Sequence, residues 1–560
     1  MKGLSTLVLL AGLAASTTAW AVGGFKGEEI LGPGLDSGRT EYFQNWDRTL
    51  DPDTLYTLTG LYYVTDSHTI TIPAGCFVQA DTAATLIIQR GGQIMATGSA
   101  SDPIVFTSMK PAGERARGDW GGVVLLGRAP VNKVDPLIEG GIISGTYGGN
   151  EPEDSSGIFR YVRIEFPGYR FQLNNEINGL TMGGVGRGTE LHHIQVSYSF
   201  DDAYEWFGGT VNANYLVAFG TTDDHFDTDF GYRGRLQFGF GLNDPGVWDP
   251  TGETRGMESD NDGSSSSTDE PFTHPYLVNF TIVGPKRTND TLVPPTTSAD
   301  YSAVTRRSSQ SSLYNSVIMG WPWGLSLRDA ITQQWALDDT LQWRNVSISA
   351  LIEKVTGSNS VHGEDRWDQV TTWFNTPEYN NIGSEPRLPD DIGLTDMSDL
   401  NNPNPVPAAG SELIGSADFT NPRLAGFQVV TYRGAFDPEL DMSQQWTAGW
   451  TNFDPQNTYY PVPVFDEDGN EVPSHVKLAS SYPNPFNPST VIKFSVPVKG
   501  PVTLTVYDVR GNVVAAIVDE VMSMGTFERT FDGSTLSSGT YFYRLQGNGF
   551  SETGKMQLVK

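Results

Sequence analysis

Cysteine is almost missing from this sequence: Cys76 is the only one in 560 residues. A single cysteine excludes an intramolecular disulfide framework, so packing must hold any core together. Within ITIPAGCFVQA it is expected to be a small buried apolar residue and not a nucleophile. Basic residues are also scarce, with 36 Lys and Arg against 66 Asp and Glu and a net charge of −30. A surface this acidic repels phosphate backbones and anionic lipid, which argues against nucleic acid and membrane surfaces as partners and leaves divalent cations as natural ones. Beyond residue 21 no apolar run is long enough to cross a bilayer. No long 3.6-residue periodicity stands out, so helices do not organise the chain. There is no HExxH, no G-x-S-x-G elbow and no P-loop lysine step.

Turn formers are plentiful, 62 Gly and 34 Pro, set between short β-branched and aromatic runs. That texture predicts an all-β chain. The length exceeds one ordinary core, so two or more domains are expected. The opening MKGLSTLVLLAGLAASTTAWA has Lys2, an apolar run and Ala19-Trp20-Ala21 in small-x-small form, the pattern of a secretory signal peptide over residues 1–21. Next, HTITIPAGCFVQA, TLIIQRGGQIMATG and DPIVFTS are strand-length runs bounded by Gly, Asp or Pro. From Arg160 on, RYVRIEF, HHIQVSYS, NYLVAFGT, YLVNFTIVG, LYNSVIMG and QWRNVSIS share one alternating pattern, with a step of 22 between Ile194 and Leu216. A helix-free repeat in the twenties predicts a solenoid, because no coil buries its apolar face alone and stacking builds one continuous core. Longer steps, at 241–272 and 285–310, are expected to leave the coil corners as polar loops.

GDWGGVVLLGRAPVN, then EGG, YGGN and FRYVRIEFPG, and the run from Gly179 to Gly234 together resemble the pectate-lyase-like proteins, from about residue 60 to 350. The resemblance implies a right-handed parallel β-helix, placed here at 22–455 with loop inserts, and a linker at 456–476. It also implies two chemistries that such folds host. One is Ca²⁺-dependent elimination on a uronate with an arginine base, and the other is hydrolysis by paired carboxylates.

The repeat lays DDAYEWFGG, from Asp201, over DDHFDTDFG, from Asp223. Asp201 then meets Asp223, Asp202 meets Asp224 and Glu205 meets Asp227. Equivalent residues on adjacent coils stand about 4.8 Å apart. Carboxylates that close raise one another's pKa or recruit a cation. Ca²⁺ takes several oxygens in flexible geometry, so these six acids are candidate ligands for it. Three readings stay open: turn-capping acids facing water, a structural cation, or a catalytic site with Arg233 or Arg235 as base and His225 as accessory. No Gly-His-Gly or Arg-Ile-Lys step of the polygalacturonase pattern is present. Glu258, Asp260, Asn261 and Asp262 form a second acidic run, MESDNDG, that reads as part of an insert.

Trp206, Trp321 and Trp323 lie near expected corners and are candidates for stacking on an extracellular polysaccharide; the competing expectation is burial in the core. Tyr204 and Phe226 share a register and are expected to stack inside. Strand alternation should send His192 and His193 to opposite faces, which disfavours a zinc pair. Gly183 to Gly188 reads as a coil corner.

The C-terminal stretch alternates through VIKFSV, VTLTVYDV and TYFYRLQ between turns, as in a small antiparallel sandwich. Asp508 to Asn512 is expected to be a hairpin turn, with Gly511 in a left-handed conformation. Tyr482-Pro483-Asn484-Pro485-Phe486, the Gly539-Thr540-Tyr541 step and the basic-hydrophobic end from Lys555 to Lys560 resemble the type A sorting domain of the type IX secretion system, at 477–560. The resemblance implies an Ig-like fold, handling by that machinery and delivery to the outer surface or the medium. The combined expectation is a secreted β-helix protein with a binding or structural role. A cation-dependent polysaccharide lyase or glycoside hydrolase, and an adhesin or surface-layer spacer, are the alternatives.

Overall fold

Alternation turns every second side chain of a strand inward, and the computed structural model of the chain stacks its strands by that rule. It describes residues 27–34, 41–172, 175–249, 254–263, 267–289, 301–356, 367–384, 387–460, 464–465, 471–472, 477–478, 481–496, 500–523, 525–547 and 550–560. The signal peptide expected at 1–21 lies outside them. Each strand pairs in parallel with its counterpart one coil on. One face runs through Thr54–Leu58, Phe77–Ala80, Ile104–Ser108 and the second halves of Gly157–Glu165, Glu190–Ser197, Ala213–Phe219 and Arg235–Leu242. A second runs through Leu61–Val64, Thr85–Ile88, Gly122–Leu126, Leu180–Gly183, Tyr204–Phe207, Phe226–Asp229, Met257–Ser259 and Tyr301–Thr305. The third takes Thr69–Pro73, Gln93–Thr97 and the first halves of the long strands. The result is a parallel β-helix with Ile194 beside Leu216, the 22-residue step seen in the sequence.

The long strands turn from the third face to the first at one left-handed residue per coil. Tyr161, His193, Tyr215 and Phe238 hold this position at φ 49°, 54°, 58° and 61°, followed by Asn279, Asn315 and Asn345 at 57°, 48° and 56°. Left-handed backbone costs a non-glycine residue about 1–2 kcal/mol. Ring stacking helps offset it: successive centroids from Tyr161 to Phe238 lie 4.3, 4.4 and 5.1 Å apart. This corner breaks the alternation expected of His192 and His193. Their Nδ1 atoms meet at 2.8 Å instead of pointing to opposite faces.

Inward residues form one continuous core. Tyr204 stacks on Phe226 at 5.5 Å as the register implied, and Cys76 is buried, its thiol pushed up to about 12 by desolvation. Trp206 and Trp321 are both 0 % exposed. Neither can meet a sugar: Trp206 points inward one register beyond Tyr204 and packs between Tyr204 and Tyr232. Trp323 is half-buried against Tyr301. The outer surface of the first face is covered by the segment after the last coil, where Ile392, Leu413, Phe436 and Trp450 pack on Val217, Phe219, Phe240 and Val317. Early in the second face, Ile138, Ile142, Tyr147 and Ile177 cover Tyr63, Ile87 and Val124.

The chain divides into two units between Thr458 and Tyr459. The C-terminal unit contains antiparallel sheets of three and four strands enclosing Phe494, Leu504, Tyr543 and Leu558. Asp508 closes its hairpin by accepting the Arg510 and Asn512 N–H groups, and Gly511 sits at φ 81°. Phe486 and Tyr541 of the sorting motif are buried in this core, while Tyr482 is 80 % exposed. Asn484 links the motif to the final strand, accepting the Gln557 N–H and donating to the carbonyl of Lys555. Pro483 accepts a hydrogen bond from Thr490, Pro485 separates Asn484 from Phe486, and Gly539 opens the penultimate strand. Among the described residues no helix is long and apolar enough to cross a membrane.

Candidate cation and ligand site

On the second face the outward row reads Tyr63, Ile87, Val124, Thr181, Glu205, Asp227, Glu258, Val304, one residue per coil. Apolar members lie under the covering insert. The acidic members begin where a cleft opens beside it. Glu205 pairs in register with Asp227 and Asp227 with Glu258, so the ladder continues one coil beyond the two acids that the 22-residue step aligned. The segment MES is therefore a rung of the solenoid, not an insert. Its kinship was visible as FDTD above MESD, but a longer corner stretched that step to 31 residues.

The corner preceding these strands supplies the other acids. Asp202 accepts the Asp224 N–H at 2.8 Å, and Asp224 accepts the Arg255 N–H at 2.8 Å, so each caps the next coil. Asp224→Ala should leave that buried donor unsatisfied and cost about 1–3 kcal/mol of stability, while Asp224→Asn, which keeps an acceptor, costs less; urea unfolding of the two variants compares them directly.

Five of the six predicted acids come together in two overlapping groups. Carboxylate oxygens of Asp201, Asp202 and Asp223 lie within 4.8 Å of one another, and so do those of Asp202, Glu205 and Asp227. Asp224 is the sixth, and belongs to neither group. Among the described residues no ion pair reaches these five: Arg255 and Arg306 bind Glu258, Arg306 and Arg307 bind Asp260, and Arg170 binds Glu176. Buried oxygens of Asp223 and Asp227 have no hydrogen-bond partner. Two unit charges at 4.8 Å repel by about 3–4 kcal/mol at an effective dielectric of 20. Burial first, and neighbouring carboxylates second, accordingly push Asp201, Asp202, Glu205 and Asp223 well above the usual carboxylate range. Desolvation takes Glu139 up to about 7 and Asp227 up to about 6. At neutral pH the cluster must carry protons or cations. Oxygens facing each other across Ca²⁺ stand about 4.6–5.2 Å apart, so the spread of each group suits that ion.

These side chains line a cleft of about 430 Å³, with Arg306, Arg307, Arg170 and Phe200 on its walls and Glu139, Glu176 and Asp249 completing its acidic lining. Sequence reasoning missed Glu139 and Glu176, because the insert that delivers them lies outside the repeat. Phe200 also lines a second cleft, of about 600 Å³, with Tyr198, Trp248, Arg117 and Asp244. The expected base candidates lie elsewhere. Arg233 is exposed beyond the strand, and Arg235 is on the third face over the Phe427 ring at 4.0 Å. His225 is fully buried and held neutral by desolvation, its pKa near 3, with both ring nitrogens unpartnered. His192 and His193 sit far along the same third face, where Glu190 holds His192 at 3.0 Å.

Comparisons with known proteins agree with this architecture. The pectate-lyase-like β-helix domain matches residues 41–389, and the secretion system C-terminal sorting domain matches 480–559. No curated protein matches. Among solved structures, the full-length tailspike protein 2 of Escherichia coli O157:H7 bacteriophage CAB120 aligns at 11 % identity and a TM-score of 0.23, covering 90 % of this chain and 64 % of the tailspike, so the chain spans less than two thirds of that protein. The sorting domain marks the chain for export by the type IX machinery to the surface or medium. With more than half its length matched, the chain belongs to the pectate-lyase-like β-helix family and carries its own secretion address.

Proposed function

We propose that this exported protein binds an anionic polysaccharide through Ca²⁺ held in the acidic cleft. The observation that carries the reading is the pair of carboxylate groups, crowded within 4.8 Å and reached by no ion pair. A cation there neutralises the cluster and keeps coordination positions for a ligand's carboxylate or sulfate. Arg306 and Arg307 on the same wall add positive charge. The adjoining cleft offers Tyr198, Phe200 and Trp248 to the apolar face of a neighbouring sugar. Its volume falls within the range of about 300–1,000 Å³ usual for small-molecule sites.

The geometry favours binding over chemistry. Inverting hydrolysis needs carboxyl groups about 6.5–9.5 Å apart, to admit a water, whereas these groups approach within 4.8 Å. A lyase needs an arginine free to take a proton, but Arg306 and Arg307 are held by Glu258 and Asp260. The test is retention of the full chain on immobilised polygalacturonate and alginate, in Ca²⁺ and in EDTA. We expect retention only in Ca²⁺ and its loss in Asp202→Asn. Equal retention in EDTA would sink the reading, and unsaturated uronate products would replace it with the lyase.

A further inference from the structure

The cleft holds one polar group that neither the hydrogen bonds nor the coil stacking explains. Asn178 precedes the strand Leu180–Gly183 and is 0 % exposed. Its Nδ2 donates to Glu139 at 3.0 Å and to Glu205, so the amide head lies among the carboxylates. Its Oδ1 is buried and has no partner. A buried amide normally satisfies both ends, and the orphaned oxygen is the end a cation would use. Oxygen and nitrogen of an amide are nearly isosteric, so a half-turn exchanges them at no cost in packing. That half-turn sets Oδ1 against Glu205.

The two carboxylate groups share one member, Asp202. A carboxylate can give one oxygen to each of two ions, and paired-metal sites place their ions about 3.5–4 Å apart. Glu205 belongs to the second group and is the residue Asn178 already touches.

We propose that the cleft takes two divalent cations bridged by Asp202: one held by Asp201 and Asp223, the other by Glu205, Asp227 and the amide oxygen of Asn178. This deepens the Ca²⁺-dependent reading above and rests on it. It assigns ligands from successive rungs to one cluster, with Asn178 contributing from the coil before Glu205, and makes Asn178 a metal-binding residue.

Isothermal titration of Ca²⁺ into the EDTA-stripped, desalted full chain separates the possibilities. Two ions per chain are expected. One ion would overturn the paired site and leave the Ca²⁺-dependent reading standing, and none would overturn both. Asn178→Leu, which keeps volume and removes the oxygen, should weaken the second ion about 10- to 100-fold and leave the first unchanged. Asn178→Asp should bind the second ion at least as tightly as the parent. If Asn178 acts only as a donor to Glu139 and Glu205, the order reverses: Asn178→Leu still binds two ions, Asn178→Asp loses affinity, and the assignment of Asn178 fails. Circular dichroism of both variants in EDTA confirms that each is folded before it is titrated.

Discussion

In EDTA at pH 8 the β-helix should melt about 10 °C lower than in saturating Ca²⁺, since two sites filled at a hundredfold excess over Kd contribute about 5 kcal/mol and each kcal/mol moves a domain of some 200 residues by about 2–4 °C. Acidifying the EDTA sample to pH 5 should recover part of the loss. The sign follows from the direction of the shifts. Burial, then neighbouring carboxylates, hold Asp201, Asp202, Glu205 and Asp223 above their ordinary range, with desolvation taking Glu139 to about 7 and Asp227 to about 6. The cation-free folded chain therefore keeps protons that the unfolded chain releases. Their stabilisation is full below the ordinary carboxylate range near pH 4, and is lost as pH rises through 6 and 7. Ca²⁺ selects the deprotonated groups, so with the ion present the slope reverses and stability falls as the pH drops toward 5. The two melting curves cross. Asp202→Asn, which removes the shared ligand, should flatten the difference between EDTA and Ca²⁺. Parallel curves, or an EDTA curve indifferent to pH, would mean that the cluster neither stores protons nor holds ions.

Trp206→Ala should cost about 3–5 kcal/mol, the range for emptying a large buried aromatic site. The indole lies between Tyr204 and Tyr232, at centroid distances of 5.8 and 5.5 Å, inside a core that no neighbouring loop can refill. Its Nε1 is buried without a partner, so Trp206→Phe loses area but also removes an unsatisfied donor, and should cost only about 1 kcal/mol. Denaturant melts of the two variants give the comparison. A sugar platform predicts the opposite pattern, with unchanged stability and lost polysaccharide retention, and that outcome would return Trp206 to the surface.

The period of the coils was legible because packing wrote it: Tyr204 over Phe226 and Glu205 over Asp227 follow from one offset, and the structure pairs them so. The next rung, Glu258, was hidden because a corner lengthened and the spacing changed while the face did not. Inward or outward direction was harder to read. Nothing local tells Trp206 from Glu205 except which of two alternating rows meets the core, and the left-handed corner at His193 resets that alternation within a strand. The sequence could not show which outer rows are covered. Glu139 and Glu176 come from chain that folds over the second face, and their proximity to Asp201 and Glu205 is a fact of tertiary packing alone.

The alternation on Tyr204–Phe207 and Phe226–Asp229 has a consequence for how the coils find their places. Neighbouring rungs of a solenoid look alike, and a strand that docks one residue out of step still makes every backbone hydrogen bond. Here such an error would turn Glu205 and Asp227 into the interior and push Tyr204 and Phe226 into water. The charged row thus works as a proofreader, ejecting misaligned coils during assembly in the middle of a stack where shape alone discriminates poorly.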